Sequence, residues 1–597
     1  MSTAHVPRQA QSTPAAPPSS APPPSTPPHA SEATRLLCAG TYLDPGYRDR
    51  VIEELHLNEQ RFAAPSFGLD AARVLAHALR ARRQELQWSG AVLGLWLVGF
   101  ALAGRALTVY LFPGVYLLIG AWLRGRTPEV PQYRLVLAFL FRWWGRIVLA
   151  VLLAVTLFTA FGGGPDDTSS SSSPYGSDSD PYASDSPTTG DALRLAGDAL
   201  GAGVKPWQAW ATLVLFALIA LCLAGQREQL ARVITGELSG ERFPDAAADP
   251  AERGESRRFQ WLKQRIRTEQ HVPLIMYHEA RPFCGAGAAH EDWVLAVELK
   301  PDPLKKQQPI GNRLVLEKIR PLVERLRLPA EYAGPGVRDR LRWLAVDECV
   351  FLPAEGLLRR ESAPYDRDAF EQHRSHAVEE GAEKRRHFLR IRVSGWEEEL
   401  VVTVFVRIHT QGRMLVLEVI PHVLLPVRED FKDADRIAHR FRGNSLFGKA
   451  AWAVGGVPRS PVRSLVVVCK AAVYGWRLLT GGYANALPDG PALSVRELGA
   501  AAAASQFQEM DVSRYLKSIQ DRVANGVRAA LAEAGYQTGE FIQQINHISN
   551  GGVHIGRVEG STFAVGDHSS ASSASSASSS VNGGSAPQKG SDAHGDE

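Results

Sequence analysis

Cysteine is scarce, and what there is does not cluster. Cys38, Cys222, Cys284, Cys349 and Cys469 are scattered through 597 residues without a CxxC pair, so neither a disulfide framework nor a paired-cysteine zinc site has support, and all five read as reduced thiols. No HExxH, GxSxG or kinase signature set occurs, which removes the motif-borne metalloprotease, hydrolase and kinase chemistries from the first rank. Excess charge is lacking too. A formal balance of +3 implies neither a nucleic-acid binder nor an enzyme for acidic substrates, and no nucleic acid is expected as a partner. The Pro/Ala/Ser-rich start contains no apolar core before Ser89, so no cleavable leader is expected.

Long apolar blocks are present instead. A hydrocarbon layer of about 30 Å needs roughly 20 apolar residues as helix, and residues 135–161 and 207–225 each meet that. Residues 89–123 are apolar throughout except for Arg105, too long for one straight crossing. Gly99, Gly104, Arg105 and Pro113-Gly114 give this block places to turn, so it reads as a hairpin of two short spans or a re-entrant loop. Arg73, Arg80, Arg82 and Arg83 precede it and Arg124, Arg126 and Arg134 follow it, which puts both of its ends in the cytoplasm. The Ser/Asp-rich loop 162–206 then reads as external, and Arg227 and Arg232 as internal. The expectation is a multi-pass plasma-membrane protein with four crossings and both termini cytoplasmic. Its spans hold little that is polar at depth, and Arg142 and Arg146 sit at an edge from which they can snorkel.

The fold class expected is an α-helical polytopic membrane region plus a cytoplasmic α+β domain, between disordered tails at 1–34 and 569–597. A helical stub, 35–88, leads into the hairpin, and a cytoplasmic loop, 124–134, leads out of it. After the last span come a basic juxtamembrane segment (226–270), the sheet domain (271–428), and a helical region (429–493) with a buried or interfacial helix at 464–480. An apolar-striped helix (494–535) and a Gly-punctuated β hairpin (536–568) complete the chain. Strands are expected at 293–299, 341–352, 388–393, 399–408 and 414–420, from alternation or continuous apolar runs.

The runs TYLDPGYRDRVIEEL (41–55) and RFAAPSFGLDAARVLAHAL (61–79), followed by an apolar hairpin, resemble uncharacterised multi-spanning membrane proteins of Streptomyces-type actinobacteria. The resemblance implies an integral membrane protein and brings no activity or catalytic residue with it.

Candidate chemistry is thin. Gly443 to Lys449 fits the GxxxxGK spacing, but Ala450 stands where a Ser or Thr hydroxyl should bind magnesium, and a polar run replaces the strand before it. Gly285-Ala-Gly287 begins like a dinucleotide loop and then meets His290. The densest group of potential metal ligands is His278, Cys284 and His290 with Glu279 and Glu291; thiolate and imidazole suit zinc, but the spacing matches no standard site, so satisfied loop residues are the plainer reading. His373 and His376, one helical turn apart, are equally unspecific. No cofactor is called for.

For partners, the bilayer comes first. Phe259, Leu262 and Ile266 lie at helical spacing among Arg257, Arg258, Lys263, Arg265 and Arg267, a pattern that either rests on anionic lipid or packs on the next domain. Residues 494–568, with Val512, Leu516, Ile519, Val523, Val527 and Leu531 in one stripe, could mediate self-association or hold a protein partner. The leading function is a membrane-anchored cytoplasmic binding, scaffold or sensory module. The alternatives are a membrane-tethered enzyme working through His278, Cys284 and His290, and a transporter or channel with Arg105 lining its pathway.

Overall fold

The Ser31 side chain accepts from Thr34 N–H and starts α1 (Glu32–Leu43), and Asp44 with Pro45 at the first position starts α2 (Pro45–Ile52). Asp70 caps α3 (Ala71–Ala103) by accepting from Arg73 N–H. In this computed structural model residues 26–125, 131–161, 205–253, 256–328, 340–341, 343–380, 383–396, 399–481 and 486–543 are described. The first part of the N-terminal tail, almost all of the external loop, the Gly-punctuated hairpin from residue 544 and the C-terminal tail lie outside them.

α3 does two jobs. Its first three turns, through Leu79, are buried with α1 and α2, while Leu97, Val98 and Leu102 near its far end are exposed. An apolar, outward-facing segment of this kind belongs in lipid. The chain breaks at Gly104, makes one turn over Arg105–Thr108 and continues as α4 (Leu111–Arg124), so the block 89–123 is divided near Gly104. α5 (Gln132–Ala160) and α6 (Pro206–Arg232) follow. Three helices, Ala71–Ala103, Gln132–Ala160 and Pro206–Glu237, are long and apolar enough to cross a membrane, and Leu111–Arg124 is a shorter apolar helix. α4 and α5 approach closely through glycine: a Cβ on Gly120 would stand 3.1 Å from Ala138 O, and one on Gly145 2.9 Å from the Leu117 side chain.

α7 (Arg257–His271) is capped by Ser256. Its stripe of Phe259, Leu262 and Ile266 is buried in one core with α1, α2 and the start of α3, so the stub and the juxtamembrane segment form a single helical layer.

Seven strands make one mixed half-barrel sheet: β1 (Leu274–Tyr277), β2 (Ala288–Ala289), β3 (Trp293–Glu298), β4 (Trp343–Pro353), β5 (Arg386–Gly395), β6 (Leu400–Gln411) and β7 (Met414–Leu424). The order is β1-β4-β5-β6-β7-β2, with β3 also paired to β7. β1 runs parallel to β4 and the other pairs are antiparallel. The sequence pattern found all but β1 and β2, which have only four and two residues. β6 and β7 close through Gly412 and Arg413, opposite the Gln411–Met414 pair.

One face of the sheet is mostly apolar, interrupted by Glu348 and His387, which pair with each other. Val346, Ile391 and Val404 lie in register across it and are covered by α8 (Asn312–Glu324), α9 (Arg367–Glu379) and, later in the chain, by α13 (Gln506–Glu533). α10 (Ala434–Gly443), α11 (Leu446–Gly456) and α12 (Ser460–Thr480) come between. α11 and α12 form a hairpin: Val457 at its tip is buried among the apolar helices, and α12 runs back along α3 until Lys470 pairs with Asp49 and Arg477 with Glu53.

Residues 494–535 are not one helix. A single turn, Val495–Leu498, is followed by extended chain to Ser505, which caps α13 in a reciprocal box with Gln508. The stripe from Val512 to Leu531 is buried as the sequence pattern requires, and it packs on α8 of the same chain, where Gly526 lies against Ile319. Gly535 takes the left-handed conformation at φ +80° just past the helix end. Residues 539–597 form a second unit, of which a helical turn at 539–543 is described.

Candidate functional site: a cationic cavity beneath an aromatic lid

The other face of the sheet carries a second and larger set of polar side chains. Alternation along the strands puts Asp347 opposite Arg390 and Arg392 opposite Thr403, while Phe351, Phe388 and Phe405 share that face. Phe283, from the loop between β1 and β2, packs among them with ring centroids 5.3 Å from Phe351 and 4.8 Å from Phe405 and His422. Between this cluster and residues 65–68 lies a cavity of ≈ 270 Å³, lined also by His271, Cys284 and Thr403, a little below the size of ordinary small-molecule pockets.

Its charge is unbalanced. Arg390 donates through Nε and Nη2 to the two Asp347 oxygens at 2.7 and 2.9 Å, and Arg392 Nη2 donates to Oδ2 at 2.5 Å. Two guanidinium groups therefore share one carboxylate. Burial by itself would raise the Asp347 carboxyl, but the hydrogen bonds and charges of the two arginines outweigh it and hold it below the usual range. Burial, with the neighbouring Arg390 charge, pulls Arg392 down to about 10, still charged at neutral pH. Arg392 lies 4.8 Å from the Phe67 ring centroid, and its buried Nε has no hydrogen-bond partner. A planar donor with an unspent N–H beside an aromatic face suits a carboxylate or phosphoryl oxygen.

The loop that carries Phe283 lines this cavity as its lid. Glu497 Oε1 accepts from Gly285 N–H at 2.7 Å and from Gly287 N–H at 3.0 Å. Both glycines have φ near +100°, at +99° and +103°, and a Cβ would fall 2.0 Å from Pro65 O at the first and 2.3 Å from Val423 O at the second. Only glycine fits there, so the GxG that began like a dinucleotide loop serves instead as a close backbone crossing.

The three candidate metal ligands are not brought together. His278 Nε2 lies 3.7 Å from Asp489 Oδ1, Cys284 is buried against the cavity, and His290 is exposed with its N–H on Pro421 O. Among the described residues no three His, Cys, Asp or Glu side chains gather to hold a metal ion. Burial pushes the Cys284 thiol well up, away from the thiolate a soft metal needs. Gly443 to Lys449 is a helix-to-helix connection in which Ser445 caps α11 and Lys449 Nζ donates to Arg442 O; no strand enters it, as a phosphate loop would require. His373 Nδ1 faces Arg385 at 3.5 Å. The side chain of Arg105 lies outside the described residues.

The basic helix α7 is tied down within the chain. Arg258 pairs with Glu59, Lys263 with Glu252, Arg265 with Glu269 and Glu361, and Arg267 with Asp70 and Glu252. Arg257 is exposed at its first turn. Sequence reasoning missed the arginine pair. The available signal was Arg390 and Arg392 at period two among the apolar Phe388, Leu389, Ile391 and Val393, with Asp347 in the strand before it.

Three helices able to cross a membrane and an α+β domain built on a half-barrel sheet define a multi-pass membrane protein. Residues 292–561 match the AbeC-like domain. That match takes in Asp347, Arg390, Arg392 and Thr403, and leaves out Phe67, the lid and residues 41–79, on which the resemblance to actinobacterial membrane proteins rests. No curated protein and no solved structure matches the chain.

Proposed function

We propose that the chain is a membrane-anchored binding module whose sheet domain faces the cytoplasm and takes a small anionic ligand in the cavity of Arg390 and Arg392. The observation that carries this is the pairing of two partly buried arginines with one carboxylate, leaving one positive charge and the Arg392 Nε–H unspent. The cytoplasmic orientation rests on the basic flanks of the spans. The test is thermal unfolding of the full-length protein in detergent against inorganic phosphate, nucleotides and dicarboxylates. A ligand at 100 times its dissociation constant stabilises by about 2.7 kcal/mol, and the gain should vanish in R392Q. A well-folded protein that no anion stabilises overturns the reading.

The self-association or protein contact proposed for residues 494–568 would involve residues other than the α13 stripe, which α8 already covers. Deleting 544–597 should then lower the apparent mass of the detergent-solubilised protein, and an unchanged mass removes that role from the deleted segment.

A further inference from the structure

The tip of the α11–α12 hairpin is wedged among the apolar helices. Trp96 Nε1 donates to Ser460 Oγ at 2.9 Å, and Pro458 O lies 2.3 Å from where a Cβ on Gly114 would stand. At this tip Arg459 Nη2 donates to Leu117 O at 3.2 Å, while its Nε is buried without a partner. Leu117 is the side chain that Gly145 of α5 packs against. Arg142 and Arg146 flank Gly145 one helical turn apart, Arg142 Cγ lies 3.0 Å from where a Cβ on Gly120 of the Leu117 helix would stand, and both charges bear on Arg459. Among the described residues no carboxylate pairs with any of the three.

Three like charges at the edge of an apolar layer repel one another, and poor solvation makes that repulsion stronger than it is in water. Snorkelling accounts for Arg146, which is exposed, but not for Arg459, whose Nε is shut in. Exposed Trp143 and Trp144 beside Arg142 mark this level as the membrane–water interface. α12 leads from the tip back toward the helical core, so the level is the one nearest the sheet domain. We propose that Arg142, Arg146 and Arg459 together bind the phosphate of an anionic phospholipid in that leaflet, and that the lipid bridges α5 to the hairpin tip. The guanidinium fork matches a phosphodiester oxygen pair. This site is distinct from the cavity of Arg392, so the two readings fail separately.

The test places the full-length protein in nanodiscs of phosphatidylcholine alone, or of phosphatidylcholine with phosphatidylglycerol, and counts retained lipid by native mass spectrometry. Phosphatidylglycerol should be retained preferentially, and R146Q and R459Q should each lower that preference about fivefold. The exposed Arg146 separates loss of charge from misfolding, and R459K should restore part of the preference. Equal retention of the two lipids, or variants that retain lipid like the parent, overturns the proposal. Inorganic phosphate that stabilises the detergent-solubilised protein through these arginines, with no lipid preference in nanodiscs, also overturns it by assigning the site to a free anion.

Discussion

Arg73 and Asp249, 176 residues apart in sequence, meet at 2.7 Å with both side chains almost wholly buried. Arg73 also donates to the carbonyls of His29 and Phe243, and His77 Nε2 stands 3.0 Å from the same Asp249 oxygen. The pair ties the entrance of the first span to the chain that leaves the last one.

Removing one member of such a pair strands the other. D249N should therefore cost about 3–5 kcal/mol, read as a lower unfolding midpoint of the full-length protein; a loss below about 1 kcal/mol would deny the pair this role. Burial would raise the Asp249 carboxyl, but His77, Arg73 and the Ala251 N–H outweigh it and hold it well below the ordinary range. A depressed carboxyl stabilises the fold above its unfolded value of about 3.9. That contribution should fall away as pH drops below this value toward the folded one, and the D249N protein should lack it.

His422 titrates with the opposite charge. Burial holds it down to about 4, against an unfolded value of about 6.5. Between those two values the unfolded chain takes up a proton that the folded chain refuses. Stability should therefore decline as pH falls through that window and level off below it. Denaturant melts of the parent and H422F near neutral pH and near pH 5 check this; an equal decline in both would place the effect elsewhere.

Glu497 holds the lid closed, so E497A and G287A should open it. Cys284 belongs to that loop and is buried, whereas Cys469 is exposed. In a C469S background, labelling of Cys284 by a thiol reagent should accelerate at least tenfold, on the order of the ~1.4 kcal/mol or more that the lost hydrogen bonds to a charged group contribute. An unchanged rate would show that the Pro65 and Val423 contacts suffice without the carboxylate.

Ile519 is fully buried in the stripe of α13. I519A should cost about 2–5 kcal/mol and narrow any difference between the parent and a chain cut before Ser505. If I519A unfolds like the parent, the stripe is not packed as described.

The sequence was most legible where burial is continuous. β6, with nine consecutive buried residues from Leu400 to Ile408, and the α13 stripe were read almost to the residue, because periodicity reports which face meets the core. What periodicity cannot report is what a minority residue does on the other face. Arg390, Arg392 and Asp347 interrupt apolar residues without a motif, and their meaning appears only when register places them side by side. Likewise the basic helix α7 showed its charges but not their partners, Glu59 and Asp70 from the helical stub and Glu252 just ahead of it. The single helix expected over 494–535 failed for a local reason, since the Ser505–Gln508 box starts a new helix and the Ala-rich run before it stays extended.

α3 is one unbroken helix, gripped in protein at one end and bathed by apolar surroundings at the other. From Trp88 to Ala103 it extends roughly 24 Å, and a hydrophobic stretch adjusts to bilayer thickness largely by tilting. A tilt of about 10° over that length sweeps its far end through about 4 Å, and because the rod has no joint before Gly104, the same torque arrives at Arg73 and Asp249. A change in membrane thickness that tilted α3 would thus load the helical core at that ion pair.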